Sequence, residues 1–578
     1  MGLLPLLAAP AAAFTFMSDG EGEALRWPKN DEGQVYLPLV VNPTTASGMD
    51  PETFREGTLR SLQRWEAASG GAVTWDLWQG EGDQYPQGIH YDGVTTLSFV
   101  SQLSEKELQN VDGSTAGYTV LWSDDAGNVL EADIVLNDWN YLFTTDPEEA
   151  AYSDGWANRS ILLEDVLTHE LGHAFGLDHS GVLHSTLFTW GWNHQDSPHC
   201  DDIAGIKAAY GSPGTGEIGG RVLDPEGAPL MGAEVVAVSR ERRSVFAAAI
   251  TDAEGGYRLG GLEPGEYYLI VQPFYAEGRL TGAYQAVDHH ICDDRYFSRT
   301  FLTDDDGVTL WPLTVHPGEI QSLSPIETGC SEGSAALVAE TFGSELLEAA
   351  PTLLAARDDH FAIVENLPDD SSRRHYLLRD VAGDLVVNAV GYSVYSALWA
   401  DLELWDVNGD EPYMLREAHT TVPLHEEDDP DYAVYDGLLV AEDLPHGDYV
   451  LALRGQRLPS ELYPRGDLYL DTGSWILVLG SVNDADLDLE ALQSFDLANC
   501  PVEPDYADYT SPPGLPHRTF LGCRSAPGAA GWAGLALALL VLRRYRRVDG
   551  EPNRALPDPG TPRNRRGLRG PPGGPPAR

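Results

Sequence analysis

The sequence predicts a multidomain protein in which an α+β domain is followed by two all-β sandwich domains and a C-terminal transmembrane segment. Three observations support this prediction. Residues 169–179 read H-E-x-x-H-x-x-G-x-x-H within a helix-forming stretch. Short β-forming runs joined by glycine and proline turns fill most of the chain after residue 214. An apolar run at 526–542 precedes a cluster of arginines.

The composition limits both the domain count and the class of partner. A chain of 578 residues is too long for one core, and 42% hydrophobic with 22% charged residues is typical of globular domains. The 90 acidic and 36 basic residues give a net charge of −54. Because this charge repels phosphates, we expect no nucleic-acid partner.

The N-terminus reads as a targeting segment. Residues 1–13 (MGLLPLLAAPAAA) are apolar and end in small residues, which is typical of a secretory signal peptide cut near Ala13. The segment has no basic residue at its start, so a buried strand is the alternative. Export would permit disulfides, and we expect Cys292 to pair with Cys330 because both fall in one predicted domain.

The α+β domain begins with an extended run at 35–41. Asp50 is then a helix N-cap and Pro51 the first helical residue, and apolar side chains recur at helical spacing until Gly70. A second strand is predicted at 73–78.

A hairpin and a closing helix complete this domain. The β-rich runs at 116–122 and 129–136 flank the turn-forming cluster at 124–128, which predicts an antiparallel hairpin. The amphipathic stretch at 201–210 ends at Gly211, which predicts a helix with a glycine C-cap.

The histidine motif predicts a metal site. A helix over 162–175 places His169 and His173 one turn apart on one face. Gly176 lets the helix end in a conformation that disfavours a Cβ, and the following turn returns His179 as a third nitrogen ligand.

The residue after the first histidine indicates what the site does. Glu170 would point beside the metal and act on its water instead of binding the ion. Three neutral imidazoles with one open position are typical of catalytic zinc, whereas structural zinc has four protein ligands. A helix with exposed histidines is one alternative. A structural zinc site, with His184 as the fourth ligand, is another.

The run from His169 to Ser180 (HELGHAFGLDHS) resembles the matrixin branch of the metzincin metallopeptidases. The opening Arg26-Trp27, strand and helix, and the closing helix with Tyr210, are similar to the same family. The resemblance covers 24–212. It implies a metzincin catalytic domain with a twisted mixed sheet, an active-site helix, bound Zn²⁺ and cleavage of extracellular proteins.

The resemblance also implies roles for individual residues. His169, His173 and His179 would hold the zinc, Glu170 would be catalytic, and Leu187 occupies the position of the methionine in the metzincin Met-turn. His90 and Asp92 resemble the start of a matrixin structural-zinc loop, but the other histidines of that loop are missing. We therefore expect no second zinc.

Substrate contacts are expected on two segments. In matrixins an edge strand pairs with the substrate backbone, and the corresponding strand is expected here at 130–136, with pairing through Ala132, Asp133 and Ile134. The segment after the third ligand would wall the specificity pocket through Phe188, Trp190 and Trp192. The alternative is that these aromatic side chains belong to the core.

Two β-rich regions follow. Residues 214–330 resemble a carboxypeptidase-regulatory-like β-sandwich, and residues 335–500 resemble the sandwich of bacterial pre-peptidase C-terminal domains. In the second region a solvated hairpin turn is the favoured interpretation of the acidic turn, and Ca²⁺ binding is the alternative. The candidate calcium ligands are Asp406, Asn408 and Asp410.

The C-terminal part indicates membrane attachment and processing. A linker at 501–525 contains Gly522-Cys523, a transmembrane segment with an arginine cluster follows at 526–547, and the tail at 548–578 is predicted to be disordered. This layout resembles the myxobacterial C-terminal sorting signal, which implies cleavage near Cys523 and display at the cell surface. A retained membrane anchor is the alternative.

The sequence thus favours an exported or cell-surface zinc endopeptidase. The main alternative is a surface adhesin or binding protein that keeps a metzincin fold without catalysis, because two of the three domains look like binding modules. A gluzincin-type peptidase would need a downstream glutamate in place of His179.

Overall fold

The computed structural model describes part of the chain. The described residues are 15–18, 24–45, 48–80, 87–100, 115–147, 150, 159–182, 185–188, 195–274, 291–292, 297–303, 310–330, 352–354, 360–366, 373–390, 398–409, 412–419, 437–457, 475–484, 487 and 500. The chain divides into two units, Met1–Pro516 and His517–Arg578, and all of the described residues belong to the first.

The first domain combines a mixed sheet with helices, as the sequence predicts. Its elements are β1 (Val35–Asn42), α1 (Pro51–Ala68), β2 (Val73–Gln79), β3 (Thr96–Val100), β4 (Gly117–Ser123), β5 (Val129–Asn137), β6 (Tyr141–Thr144), β7 (Arg159–Leu162), α2 (Leu163–Ala174) and α3 (Cys200–Tyr210).

Helix α1 confirms the expected start signals. The Asp50 carboxylate accepts hydrogen bonds from the backbone N–H groups of Glu52 and Thr53 at 3.0 and 3.2 Å, which satisfies two amides that have no partner within the helix. The apolar face is buried, and the Trp65 indole donates to the Thr168 carbonyl of α2 at 2.8 Å. This bond fixes α1 against α2.

The five-stranded sheet has the order β2-β1-β3-β5-β4, with β4 antiparallel to β5 as the hairpin predicts. The expectation that Ala132, Asp133 and Ile134 lie on an edge strand is wrong. These residues lie in β5, which pairs with β4 on one side and in parallel with β3 on the other, so β5 has no free edge. All three residues are buried. Among the described strands, β4 is the last one of the sheet on this side.

The outer face of β5 carries two buried carboxylates. Glu131 accepts the backbone N–H groups of Asp92 and Gly93 at 3.0 and 2.6 Å, and Asp133 accepts that of His90 at 2.8 Å. Burial raises the pKa of Glu131 to about 7 and that of Asp133 to about 6. Glu131 and Asp133 therefore bind the backbone of the loop that contains His90 and Asp92.

The second domain is a β-sandwich, as predicted. It contains β8 (Gly216–Leu223), β9 (Glu234–Ser239), β10 (Ser244–Ile250), β11 (Gly256–Leu262), β12 (Gly265–Gln272), β13 (Thr300–Phe301), β14 (Leu313–Val315), β15 (Ile320–Ser322) and β16 (Ile326–Glu327). One sheet runs β10-β9-β12-β13 with β14 on β12, and the other runs β11-β8-β15 with β16 on β8. The expected disulfide between Cys292 and Cys330 is confirmed.

The third region is built from long antiparallel strands. Its strands are β17 (Thr352–Leu354), β18 (His360–Asn366), β19 (Arg373–Val390), β20 (Leu398–Asp406), β21 (Tyr413–His419), β22 (Gly437–Arg457) and β23 (Trp475–Val482). Hydrogen bonds join all seven strands into one sheet, whereas the sequence predicted a sandwich of two sheets. Strands β19 and β22 shift register near Val381 and Gly383, and such bulges bend strands.

The candidate calcium turn lies between β20 and β21. Asp406 accepts the backbone N–H of Asn408 at 2.8 Å and the Tyr413 hydroxyl at 3.0 Å, and Asp410 lies outside the described residues. These bonds are typical of a solvated hairpin turn.

The three regions share buried surfaces. One apolar cluster runs from the first domain into the sandwich, and a second joins the sandwich to the third region through Val236, Val238, Ala362, Val364 and Leu479. A disulfide that the sequence did not predict links Cys200, the first residue of α3, to Cys500.

A buried arginine connects the sandwich to the third region. Arg243, in the turn before β10, is 3% exposed. Its guanidinium donates to the carbonyls of Val386 and Leu479 at 3.2 and 3.4 Å and to the hydroxyl of Ser481. Removal of the guanidinium would leave these buried acceptors without a donor, which is costly.

Within the described ranges, no helix is long and apolar enough to cross a membrane. The predicted signal peptide at 1–13, Cys523, and the predicted transmembrane segment and arginine cluster at 526–547 lie outside those ranges.

Replacement of Arg243 tests the contact between the sandwich and the third region. Arg243→Met should destabilise the chain by about 2 to 4 kcal/mol, because buried carbonyls lose a charged donor. The neighbouring Arg242, with 31% of its side chain exposed, pairs with Glu263 and serves as the matched control. Arg242→Met should cost less than about 1 kcal/mol. Calorimetric unfolding of both variants makes the measurement, and equal melting temperatures would contradict the assigned role.

Candidate metal centre

Helix α2 carries the first two histidines, and it confirms the helix predicted at 162–175. Its first turn contains Glu164 and Asp165, whose negative charge favours a helix N-terminus. At the other end, the Trp27 indole donates to the Ala174 carbonyl at 2.7 Å and the Tyr210 hydroxyl donates to that of Phe175 at 2.6 Å. Residues distant in sequence therefore satisfy the last carbonyls of α2.

Three imidazole rings converge at the end of α2. A ligand nitrogen of His169, of His173 and of His179 lies within 4.8 Å of each of the other two. The Nε2 atoms of His169 and His173 are 3.0 Å apart. Among the described residues, this is the one group of three or more metal-ligating side chains that converges in this way.

Two of the rings are oriented by backbone carbonyls. His169 Nδ1 lies 2.7 Å from the Thr186 carbonyl, and His173 Nδ1 lies 2.8 Å from that of Leu177. Because a carbonyl accepts, each Nδ1 carries the proton and each Nε2 presents a lone pair. Burial, with a contribution from the other two histidines, lowers the pKa of His169 well below its ordinary value. The ring is therefore in the neutral form that binds metals.

Gly176 allows the chain to turn toward the third histidine. Its φ is 88°, and a Cβ there would lie 2.4 Å from the Leu25 carbonyl oxygen. The N-terminal segment packs at this turn, with hydrogen bonds from Met17 N–H to the Gly176 carbonyl and from Asp178 N–H to the Thr15 carbonyl. The turn therefore requires glycine for its conformation and for its space.

The residues after the third histidine form the floor of the site. Leu187 is fully buried, and its methyl groups would lie 2.7 and 3.0 Å from a Cβ on Gly172, so it packs directly beneath α2. Phe188 is 4% exposed, which fits the alternative of a core side chain. Trp190, Trp192 and His184 lie outside the described residues.

Glu170 is buried between α2 and the edge strand β4. The Thr119 hydroxyl lies 2.7 Å from Oε2 and 3.0 Å from the backbone carbonyl of Glu170. A Cβ on Gly117 would lie 2.9 Å from Oε1, so β4 can approach this closely only with glycine there. Burial raises the pKa of Glu170, whereas His173 and the Thr119 hydrogen bond lower it.

Sequence reasoning did not assign roles to two residues that support this site. One is Thr119. The alternation of side chains along β4 shows which face of the sheet Thr119 occupies, but it does not show the contact with Glu170. The other is Asp202, which accepts from the Ser185 hydroxyl and from the backbone N–H groups of Thr186 and Leu187 at 2.5, 2.8 and 3.2 Å. An acidic pair at the start of a buried helix was its one signal.

The donor set fits zinc. Three imidazoles, with Nδ1 of two of them bound to carbonyls, form the ligand arrangement of a zinc site that leaves one position open. A buried carboxylate beside the triad is not needed to hold the metal but can accept a proton. The fold and the site are therefore those of a metallopeptidase-like α+β domain.

Comparison with known families gives the same class. The matrixin family matches residues 88–211, and the carboxypeptidase regulatory-like domain family matches residues 217–289. The chain therefore contains a matrixin-like region followed by a carboxypeptidase-regulatory-like domain.

One curated relative is the macrophage metalloelastase of Oryctolagus cuniculus, which is 39% identical over 69 residues. The match covers 11% of this chain and 14% of the relative.

Two solved structures each match part of the chain. PliG of Aeromonas hydrophila, a periplasmic inhibitor of g-type lysozyme, has 12% identity and a TM-score of 0.14, covering 23% of this chain and 96% of that one. The Bacillus anthracis TIE protein has 10% identity and a TM-score of 0.13, and the match covers 43% of this chain and 31% of that one. Neither similarity is close enough to support a conclusion.

Loss of one ligand tests the metal centre. The protein should bind one zinc per chain, and His173→Ala should lose most of it because two imidazoles hold zinc much more weakly than three. His90→Ala is the control, since this exposed histidine is not a member of the converging group. Metal content after dialysis measures both variants, and full zinc occupancy in His173→Ala would contradict the assignment.

Proposed function

We propose that the chain is a zinc-dependent endopeptidase that hydrolyses peptide bonds in extracellular proteins. The observation that carries the proposal is the convergence of His169, His173 and His179 with the buried Glu170 beside them. The matrixin-like region supports the same reaction class.

The side chains of the site have distinct tasks in this reaction. The three histidines would hold a zinc ion, which, when bound, polarises a carbonyl as a Lewis acid and lowers the pKa of a water. Glu170 accepts the proton of the attacking water and delivers it to the departing amine. The Thr119 hydroxyl holds Oε2 of Glu170, so the carboxylate keeps one orientation beside His173.

The edge strand β4 is the surface on which a substrate backbone would pair. One side of β4 is hydrogen-bonded to β5, and no described strand pairs with the other side. Thr119, which contacts Glu170, lies in this strand. An extended peptide added to β4 would therefore run past the general base. Specificity through Trp190 and Trp192 remains a prediction from the sequence.

The alternative is a binding protein without catalysis. A metal site that serves only structure gains nothing from a buried carboxylate next to two ligands, because burial of an acidic group is costly. The position of Glu170, 3% exposed and held by Thr119, therefore favours the enzyme.

Replacement of Glu170 separates the two functions. Glu170→Gln should keep the zinc but reduce cleavage of denatured casein by about 10²-fold to 10⁴-fold or more, because a general base is lost. Glu52→Gln on α1, with 60% of its side chain exposed, is the matched control and should be fully active. An inactive wild type with one bound zinc would support the binding protein, and an active Glu170→Gln would refute the proposed base.

We also propose export and display at the cell surface, with C-terminal processing. The proposal rests on the apolar segment at 1–13 and on the arrangement of Cys523 before the apolar run and the arginines. Mass spectrometry of the mature protein should find a C-terminus near Cys523. An intact segment from 526 to 547 in the surface fraction would instead support a retained anchor.

A further inference from the structure

The third metal ligand differs from the other two in what positions it. His169 and His173 lie on α2, whereas His179 follows the turn at Gly176 and lies outside the helix. Its position therefore depends on the backbone on both sides of it, that is, on the turn before it and on the segment 180–182 after it. Each of these three residues contacts the β-sandwich or a residue bound to it.

Ser180 is held through an aspartate that also binds the sandwich. Its hydroxyl donates to Oδ2 of Asp201 at 2.5 Å, and Oδ1 of Asp201 accepts the backbone N–H of Ala248 at 2.7 Å. Ala248 lies in β10 of the sandwich, and Asp201 is fully buried. One carboxylate thus joins the residue after His179 to the second domain.

Gly181 lies against a glutamate of the sandwich. A Cβ on Gly181 would lie 2.0 Å from Oε1 and 2.8 Å from Cδ of Glu234 in β9, so any larger residue would force the glutamate side chain to move. Glu234 is 1% exposed, and its Oε2 accepts the Gln272 side-chain N–H at 2.7 Å. The glutamate is therefore held in place from within its own sheet.

Val182 completes the contact. It is 3% exposed and belongs to the apolar cluster that contains Val236 and Val238 of β9. Cys200, the residue before Asp201, forms a disulfide with Cys500, and this bond fixes the start of α3.

We propose that the carboxypeptidase-regulatory-like domain positions the metal ligand His179, through Glu234 against Gly181 and through Ala248 bound to Asp201. The inference rests on the proposed function, because it assigns a task at the same metal site. Glu234 and Asp201 act through the backbone beside His179 and are positioning residues.

The test measures metal binding in the full chain. Gly181→Ala places a methyl group where Glu234 Oε1 lies, and loss of outer partners typically costs 10-fold to 100-fold in metal affinity. We expect zinc release to a chromogenic chelator to be at least about tenfold faster than in the wild type. The visible spectrum of the Co²⁺-loaded chain should shift as well, because it reports ligand geometry.

Two further variants identify the partner. Glu234→Ala should release zinc about threefold to tenfold faster. The double variant Gly181→Ala/Glu234→Ala should release zinc at a rate closer to that of Glu234→Ala than to that of Gly181→Ala, because the overlap with the carboxylate is removed and only the approach of 3.0 Å to Phe274 Cε2 remains. Gly219→Ala is the matched control, since its Cβ would lie 3.4 Å from the nearest atom, the Tyr257 carbonyl oxygen. It should release zinc at the wild-type rate.

The outcomes separate the two levels of inference. Wild-type zinc release and an unchanged Co²⁺ spectrum in folded Gly181→Ala and Glu234→Ala would overturn the positioning role but leave the proposed function intact. If Gly181→Ala does not fold, Glu234→Ala alone decides by the same readouts. A wild type that binds no zinc would refute the proposed function and the positioning role with it.

Discussion

The site depends on one constraint: three imidazole nitrogens must face a common point while their rings remain neutral and fixed. A helix alone provides two of them, because residues four apart lie on one face. The carbonyls of Thr186 and Leu177 then fix the two rings by accepting from Nδ1. The turn at Gly176, the floor at Leu187 and the aspartates of α3 all serve to bring the remaining ligand and these carbonyls into place.

The proposed general base and the proposed substrate-binding strand are in direct contact. Strand β4 ends the sheet, and its Thr119 hydroxyl contacts the carboxylate that would act as the base. A peptide that pairs with β4 would therefore be aligned by the same strand that orients Glu170. Few independent parts then need to be positioned relative to one another, which favours a precise geometry at the reacting atoms.

The sequence was sufficient where chemistry depends on local spacing. The helix of the histidine motif, the N-cap at Asp50 and the hairpin of β4 and β5 follow from short-range patterns, whereas the pair Cys292–Cys330 was expected because both cysteines fall in one predicted domain. The edge strand that the matrixin resemblance implied at 130–136 was assigned wrongly, because the residues of one strand do not show which neighbour it has on its second side. The contacts of Glu234, Arg243 and Cys200 join residues far apart in the chain, and no local periodicity encodes such pairs.

The bond between Cys200 and Cys500 closes a loop with a sequence separation of 300 residues. Everything from the start of α3 through the sandwich and the long strands lies inside this covalent circle. A single cut of the backbone anywhere within the circle would leave both fragments tied together. Release of a piece from inside the circle would require two cuts, or one cut and a reducing agent. After a single cut, the histidine helix would therefore stay attached to the chain that follows the circle.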